Sequence, residues 1–67
     1  MFWHEMTKEQ PTDDDVRYLL LGNGGGLYVG YLRANGKLFY IPNRRSSYLE
    51  IRSVKAWAVI PEFGDQQ

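Results

Sequence analysis

The side chains best suited to chemistry lie in one short polar segment and in the two tyrosines that border it. The candidate ligand-binding residues are Tyr40, Arg44, Arg45, Ser46, Ser47 and Tyr48. Guanidinium groups bind phosphate through paired hydrogen bonds, hydroxyl groups add donors, and tyrosine rings stack on a nucleobase. This combination predicts a nucleotide-binding site without a metal. The alternative, which the sequence leaves open, is a loop whose charges only keep it hydrated.

The rest of the chain offers no arrangement that is typical of catalysis. It has one histidine, His4, beside Glu5, and it has no cysteine. A catalytic triad needs a base that is held by an acid and faces a nucleophile, and nothing near His4 in the sequence suggests one. We therefore expect a protein that is not an enzyme and that needs no cofactor.

Two further segments favour turns over ligand sites. Asp13, Asp14 and Asp15 are consecutive, and three such carboxylates on an extended chain cannot all face one ion, so we expect a turn. Glycine amides in residues 22–26 are suited to an anion-binding nest. Known phosphate loops, however, open onto a helix and carry lysine followed by serine or threonine. Because residues 22–26 lead into a predicted strand, we interpret them as a hairpin loop.

Runs of β-branched and aromatic residues, separated by glycine, asparagine and proline, predict the strands that position these side chains. The predicted strands cover residues 16–21, 27–32, 37–41, 48–51 and 54–60, the fourth being a short edge strand. Asn35-Gly36 is a strong hairpin signal because a type I′ turn needs positive φ at both central residues. Gly30 lies inside a strand, where glycine marks a bend, a bulge or a close backbone approach.

These strands predict a small all-β domain, an antiparallel meander of four to five strands that is partly closed as an SH3-like barrel. The single domain spans residues 1–67, with a docked, irregular N-terminal arm over 1–15, the meander over 16–62 and a disordered tail over 63–67. One helical turn is predicted near residues 5–9. The first two strands are apolar on both faces, so we expect both faces to be covered.

Size and charge limit the partners that we expect. A chain of 67 residues without cysteine buries little core and has no disulfides, which favours a homo-oligomer. Eight basic residues balance eight acidic ones, so no net field attracts a long nucleic acid. No apolar run approaches the length of a membrane span, and no signal-peptide pattern is present. We expect a cytoplasmic protein without a membrane partner.

The order of several landmarks supports comparison with a known family. They are Trp3, Pro11, the hydrophobic residues 18–21, Gly30-Tyr31 and the final strand 54–60 with Pro61. This layout resembles short bacteriophage and prophage proteins of unassigned function, which begin with a Trp…Pro arm and end in a strand with tryptophan and proline. The usual proline-rich ending is replaced by residues 58–61, and the triple glycine at 24–26 departs from the pattern. The resemblance implies a phage source, a small β domain and the bacterial host cytosol.

Three functions are compatible with these features. The first is a non-catalytic counter-defence protein that sequesters a small nucleotide immune signal between its subunits. The second is an inhibitor that docks on a host defence complex, as anti-CRISPR proteins do. The third is a small barrel that serves as an adaptor in a phage particle or as an RNA-binding module, although the neutral charge argues against RNA binding.

Overall fold

The computed structural model describes residues 3–42 and 47–61 and confirms an all-β antiparallel fold. The strands are β1 (His4–Glu5), β2 (Arg17–Gly22), β3 (Leu27–Arg33), β4 (Leu38–Ile41), β5 (Ser47–Glu50) and β6 (Val54–Val59). A 3₁₀ turn, Ile51–Ser53, leads into β6. The predictions for Arg44, Arg45 and Ser46 and for the tail 63–67 lie outside the described residues.

The strands form one sheet in the order β1-β6-β2-β3-β4-β5. Strands β2 to β5 follow one another as a meander, and β6 then returns to pair with β2. The sheet is not closed, because β1 and β5 stand at its two ends. It has six strands instead of the predicted four to five. The additional strand, β1, has only two residues, which is too short for a periodic pattern.

Both predicted hairpin loops are present, and their bounds differ from the sequence-based expectation by one residue. The β3–β4 loop spans residues 34–37, because β4 begins at Leu38 instead of at Lys37. Positive φ extends over Ala34, Asn35 and Gly36. The loop therefore has four residues between the paired Arg33 and Leu38, whereas a type I′ Asn-Gly hairpin has a loop of two residues.

The inner face of the sheet carries the core. Alternate residues of β2 and β4 are buried, and Leu20 and Phe39 are fully buried. The ring of Tyr18 makes edge-to-face contacts with Phe39 at 5.9 Å and with Trp57 at 5.4 Å. Such aromatic contacts supply a large buried area per residue, which a small domain needs.

Gly30 marks a close approach of β3 to β4, as its position inside a strand indicated. A Cβ atom at this position would lie 2.6 Å from Cδ1 of Ile41 and 2.7 Å from the carbonyl oxygen of Tyr40. Carbon atoms normally approach other atoms no closer than about 3.5 Å. Only glycine therefore fits at this point of the sheet.

The N-terminal arm is docked against the inner face. Met6 and Pro11 are buried, and the indole N–H of Trp57 donates a 2.8 Å hydrogen bond to the carbonyl of Glu9. The amides of Lys8 and Glu9 both donate to the carbonyl of Glu5, which forms the expected helical turn. The arm thus completes the core that the open sheet leaves uncovered.

The arm is also attached through the hydroxyl of Tyr18. This hydroxyl donates to the carbonyl of Asp13 at 2.6 Å and accepts from the amide of the same residue at 3.1 Å. Burial raises the pKa of the Tyr18 hydroxyl, and the charges of Asp13 and Asp14 raise it further. The hydrogen bond to the Asp13 backbone lowers this pKa, but by less than burial raises it. Tyr18 therefore joins the core and the arm in its neutral form.

No helix in the described part of the chain has the length and apolar character that crossing a membrane requires.

Candidate functional site

The outer face of the sheet carries a row of tyrosines that crosses three strands. Tyr31 of β3 pairs with Tyr40 of β4, and Tyr40 pairs with Tyr48 of β5. Arg17 of β2 continues the row beyond Tyr31. Paired residues point to the same face, and neighbouring strands lie about 4.8 Å apart. We call Arg17, Tyr31, Tyr40 and Tyr48 the tyrosine row.

Tyr40 and Tyr48 form the aromatic end of this row. Their ring centroids lie 5.5 Å apart, and the ring planes are inclined by 48°. Tyr48 is 63% exposed, although it lies in a strand. The two rings line an open pocket of about 590 Å³ together with Arg33, Ala34 and Leu38. This volume lies within the range of about 300–1,000 Å³ that is usual for small-molecule sites.

Arg33 supplies the positive charge of the pocket. Its guanidinium carbon lies 5.3 Å from the centre of the Tyr31 ring, in a cation–π contact. Its Nη1 donates to the carbonyls of Leu32 at 2.9 Å and Asp14 at 3.2 Å. Within residues 3–42 and 47–61, Nε and Nη2 of Arg33 make no hydrogen bond, and no carboxylate pairs with this side chain. The guanidinium is therefore held in place with donors available to an anion.

The structure brings together two of the predicted site residues, Tyr40 and Tyr48. Ser47 lies opposite Ile41, on the other face of β5 from Tyr48, because successive side chains of a strand alternate. The chain that carries Arg44, Arg45 and Ser46 is outside the described part. Its flanking pair, Ile41 and Ser47, is one step along the strands from the Tyr40–Tyr48 pair.

Arg33 was not among the predicted site residues. Arg33 follows Tyr31 by two positions, so strand alternation alone placed both on one face. The contribution of Arg33 to the Tyr40–Tyr48 pocket depends on the pairing of β3 with β4 and of β4 with β5. The sequence predicted these neighbours, but the exact offset was not available from it.

The glycine-rich segment forms the predicted β2–β3 hairpin, with Gly22 as the last residue of β2 and residues 23–26 as the loop. The amides of Gly22 and Gly25 donate within the loop, to the carbonyls of Gly26 and Gly22. The Asn23 amide donates to the carbonyl of Ser53, and its side chain donates to the carbonyl of Arg52. Because these amides are used internally, they do not form an open anion-binding nest.

The three consecutive aspartates form a turn, as predicted, but their carboxylates are closer than an extended chain allows. The chain bends at residues 14–16, and one oxygen of each carboxylate lies within 4.8 Å of the others. The amide of Asp15 donates to a carboxylate oxygen of Asp13 at 2.9 Å. All three residues are exposed, and this hydrogen bond gives Asp13 a role in the turn.

Comparison with protein-family models, with curated proteins and with solved structures finds no match for this chain. The site must therefore be interpreted from its own geometry.

Proposed function

We propose that this protein is a non-catalytic receptor that binds a small nucleotide on the outer face of its sheet. The observation that carries the proposal is the pocket in which the Tyr40 and Tyr48 rings lie beside the Arg33 guanidinium. Tyrosine rings stack on any nucleobase, and a guanidinium binds phosphate with a planar set of donors. The pocket combines the two chemistries that a nucleotide presents.

The position of the Arg33 charge in the tyrosine row suggests how the ligand is oriented. Arg33 lies towards Tyr31, whereas Tyr48 is at the far end of the row, about 10 Å from Tyr31 at the usual strand spacing. The phosphate then binds at Arg33, and the base packs against Tyr40 and Tyr48. Arg44 and Arg45 follow Tyr40 closely in the sequence, and they are proposed to add a second anion contact.

The biological role that fits such a receptor is sequestration of a nucleotide immune signal in the cytosol of a bacterial host. The resemblance to phage proteins suggests this counter-defence role. Assembly of several copies is part of this proposal, since a chain of 67 residues without cysteine buries little core and has no disulfides. A receptor that only retains its ligand needs no catalytic group.

Titration of the full chain with nucleoside 5′-monophosphates, followed by calorimetry, tests the proposal. We expect one-to-one binding per chain and at least about a fivefold loss of affinity in Tyr48→Ser, since stacking contributes about 1–3 kcal/mol per base. Tyr48→Phe keeps the ring and should keep the affinity.

The matched control is Leu27→Ser, which removes a similarly exposed apolar side chain from β3 without touching the pocket. Replacing both Arg44 and Arg45 with alanine should also weaken binding while the fold is retained. Failure of every nucleotide to bind at millimolar concentration, or equal affinities of the wild type and Tyr48→Ser, would show the proposal to be wrong.

A second function, inhibition of a host protein complex by direct docking, is favoured by a different observation. Strand β5 is the last strand of the sheet order, and an edge strand can accept a strand from a partner. This docking surface includes the edge of β5 and does not need Arg33. The test is whether the protein still binds a host protein complex in two variants. Binding that is retained in Arg33→Gln but lost in Leu49→Pro, which interrupts β5, would favour the inhibitor over the nucleotide receptor.

A further inference from the structure

Arg33 lines a second pocket on the side opposite the tyrosines. This cleft has a volume of about 440 Å³ and lies between the N-terminal arm and the β3–β4 hairpin. Besides Arg33, the polar residues that line it are Gln10, Thr12, Asp14 and Asn35. We call it the arm cleft. One guanidinium therefore stands between an aromatic pocket and a polar one.

We propose that the ligand is a dinucleotide, two nucleosides joined by a phosphodiester. The proposal rests on the proposed nucleotide-binding function and specifies its ligand. The phosphodiester binds Arg33, one nucleoside packs against Tyr40 and Tyr48, and the other occupies the arm cleft. Both pockets fall in the size range of small-molecule sites, about 300–1,000 Å³ each.

The charge at the junction of the pockets favours a phosphodiester. Arg33 is one cation without a carboxylate partner in the described ranges, and a phosphodiester carries one negative charge. Asp14 is among the residues that line the arm cleft, and its negative charge would repel a second negative charge on the ligand there. A neutral nucleoside is better suited to this cleft than a terminal phosphate.

The chemistry of the arm cleft matches the polar edges of a nucleoside. Gln10 and Asn35 carry amides that both donate and accept, and Thr12 carries a hydroxyl. A carboxylate such as that of Asp14 accepts hydrogen bonds from ribose hydroxyls. The aromatic pocket offers stacking, whereas the arm cleft offers hydrogen bonds, so the two halves of the ligand are recognised differently.

The arm holds this junction in place. Arg33 donates to the backbone carbonyl of Asp14, and the adjacent Asp13 is attached to the core through Tyr18. Arg33 therefore takes its position from the two elements that form the walls of the arm cleft. A dinucleotide that spans the junction contacts both the sheet and the arm.

Calorimetric titration of the full chain with two matched probes tests the proposal. One probe is a dinucleoside monophosphate such as ApA, and the other is the corresponding nucleoside 5′-methylphosphate, which has the same charge but one base. The four dinucleotides with two identical bases, ApA, CpC, GpG and UpU, are each compared with the single-base probe of the same base. We expect at least one dinucleotide to bind tenfold or more tightly than its partner.

The double variant Gln10→Ala, Thr12→Val isolates the arm cleft. Both residues are exposed, so the urea midpoint should not change. This variant should lower the dinucleotide affinity about fivefold or more and leave the single-base probe unaffected, whereas Arg33→Gln should weaken both. A methylphosphonate dinucleotide, which lacks the charge, should bind at least tenfold more weakly than the phosphodiester.

The outcomes separate the two proposals. If each single-base probe binds as tightly as its dinucleotide, or if the double variant leaves their ratio unchanged, the dinucleotide proposal is wrong and nucleotide binding stands. If neither probe binds, the nucleotide receptor itself is wrong, and the dinucleotide proposal is wrong with it.

Discussion

The two faces of this sheet use alternate residues of the same strands for different purposes. In β4, Phe39 is fully buried on the inner face, and the next residue, Tyr40, lines a pocket on the outer face. Tyr18 on the inner face is 1% exposed and bonded to the arm, whereas Tyr48 on the outer face is 63% exposed. Tyr18 therefore stabilises the fold, whereas Tyr40 and Tyr48 line the candidate pocket on the other face. Substitutions can separate stability from binding.

The largest loss of stability is expected for Phe39→Ala. Phe39 is fully buried against Tyr18, and removing a buried aromatic ring costs about 3–5 kcal/mol through lost transfer free energy and the cavity that remains. Because native proteins have a total stability of only about 5–15 kcal/mol, the variant should lose a large fraction of its unfolding free energy. Urea denaturation followed by circular dichroism measures the change.

Leu27→Ala is the control for the outer face. Leu27 is 62% exposed, so its truncation should change the unfolding free energy by no more than about 0.5 kcal/mol. Similar losses in the two variants would contradict the assignment of the inner face as the core.

Gly30→Ala should be destabilising by about 1–3 kcal/mol, the usual range for overpacking. The new methyl group would approach the Tyr40 carbonyl, a backbone atom that cannot rotate away. Since Tyr40 also lines the pocket, nucleotide affinity should fall along with stability. Chemical denaturation and calorimetry on the same sample follow both effects.

Gly24→Ala provides the comparison. A Cβ atom at Gly24 would meet no atom within 4 Å, so this variant should leave both stability and affinity near those of the wild type. Equal behaviour of the two alanine variants would mean that β3 and β4 are not in close contact at Gly30.

Tyr18→Phe tests the link between the core and the arm. The variant loses both hydrogen bonds to Asp13, which should lower the unfolding free energy by about 1–2 kcal/mol at neutral pH. Tyr48→Phe removes an exposed hydroxyl and should have almost no effect on stability.

Tyr18 also predicts that the stability of the protein depends on pH. The pKa of Tyr18 in the folded protein is raised above its ordinary value of 10.0, mainly by burial. The folded state therefore binds more protons than the unfolded state once the pH exceeds about 10, and stability falls there as the pH rises. Wild type should lose stability between pH 9 and 11 more steeply than Tyr18→Phe. Equal slopes would remove Tyr18 as the cause.

The sequence predicted the elements of the fold better than the assembly of the site. Alternation and turn residues placed β2 to β6, and Asn35-Gly36 located the central hairpin, because these signals are local. Strand β1 was missed because its two residues are ordered by pairing with Trp57 and Ala56 of β6, which are far away in sequence. Arg33 was missed for the same reason, because its position beside Tyr40 and Tyr48 depends on how β3, β4 and β5 are aligned with one another.

The hydrogen bond between Trp57 and the arm also gives the protein an internal optical probe. Trp57 is 6% exposed, and its ring is stacked on His4 at 4.3 Å, whereas Trp3 is 45% exposed. Indole emission shifts to longer wavelength when the ring meets water, so release of the arm would shift the Trp57 contribution while that of Trp3 changes little. Changes in arm docking on ligand binding can therefore be followed by fluorescence, without a label.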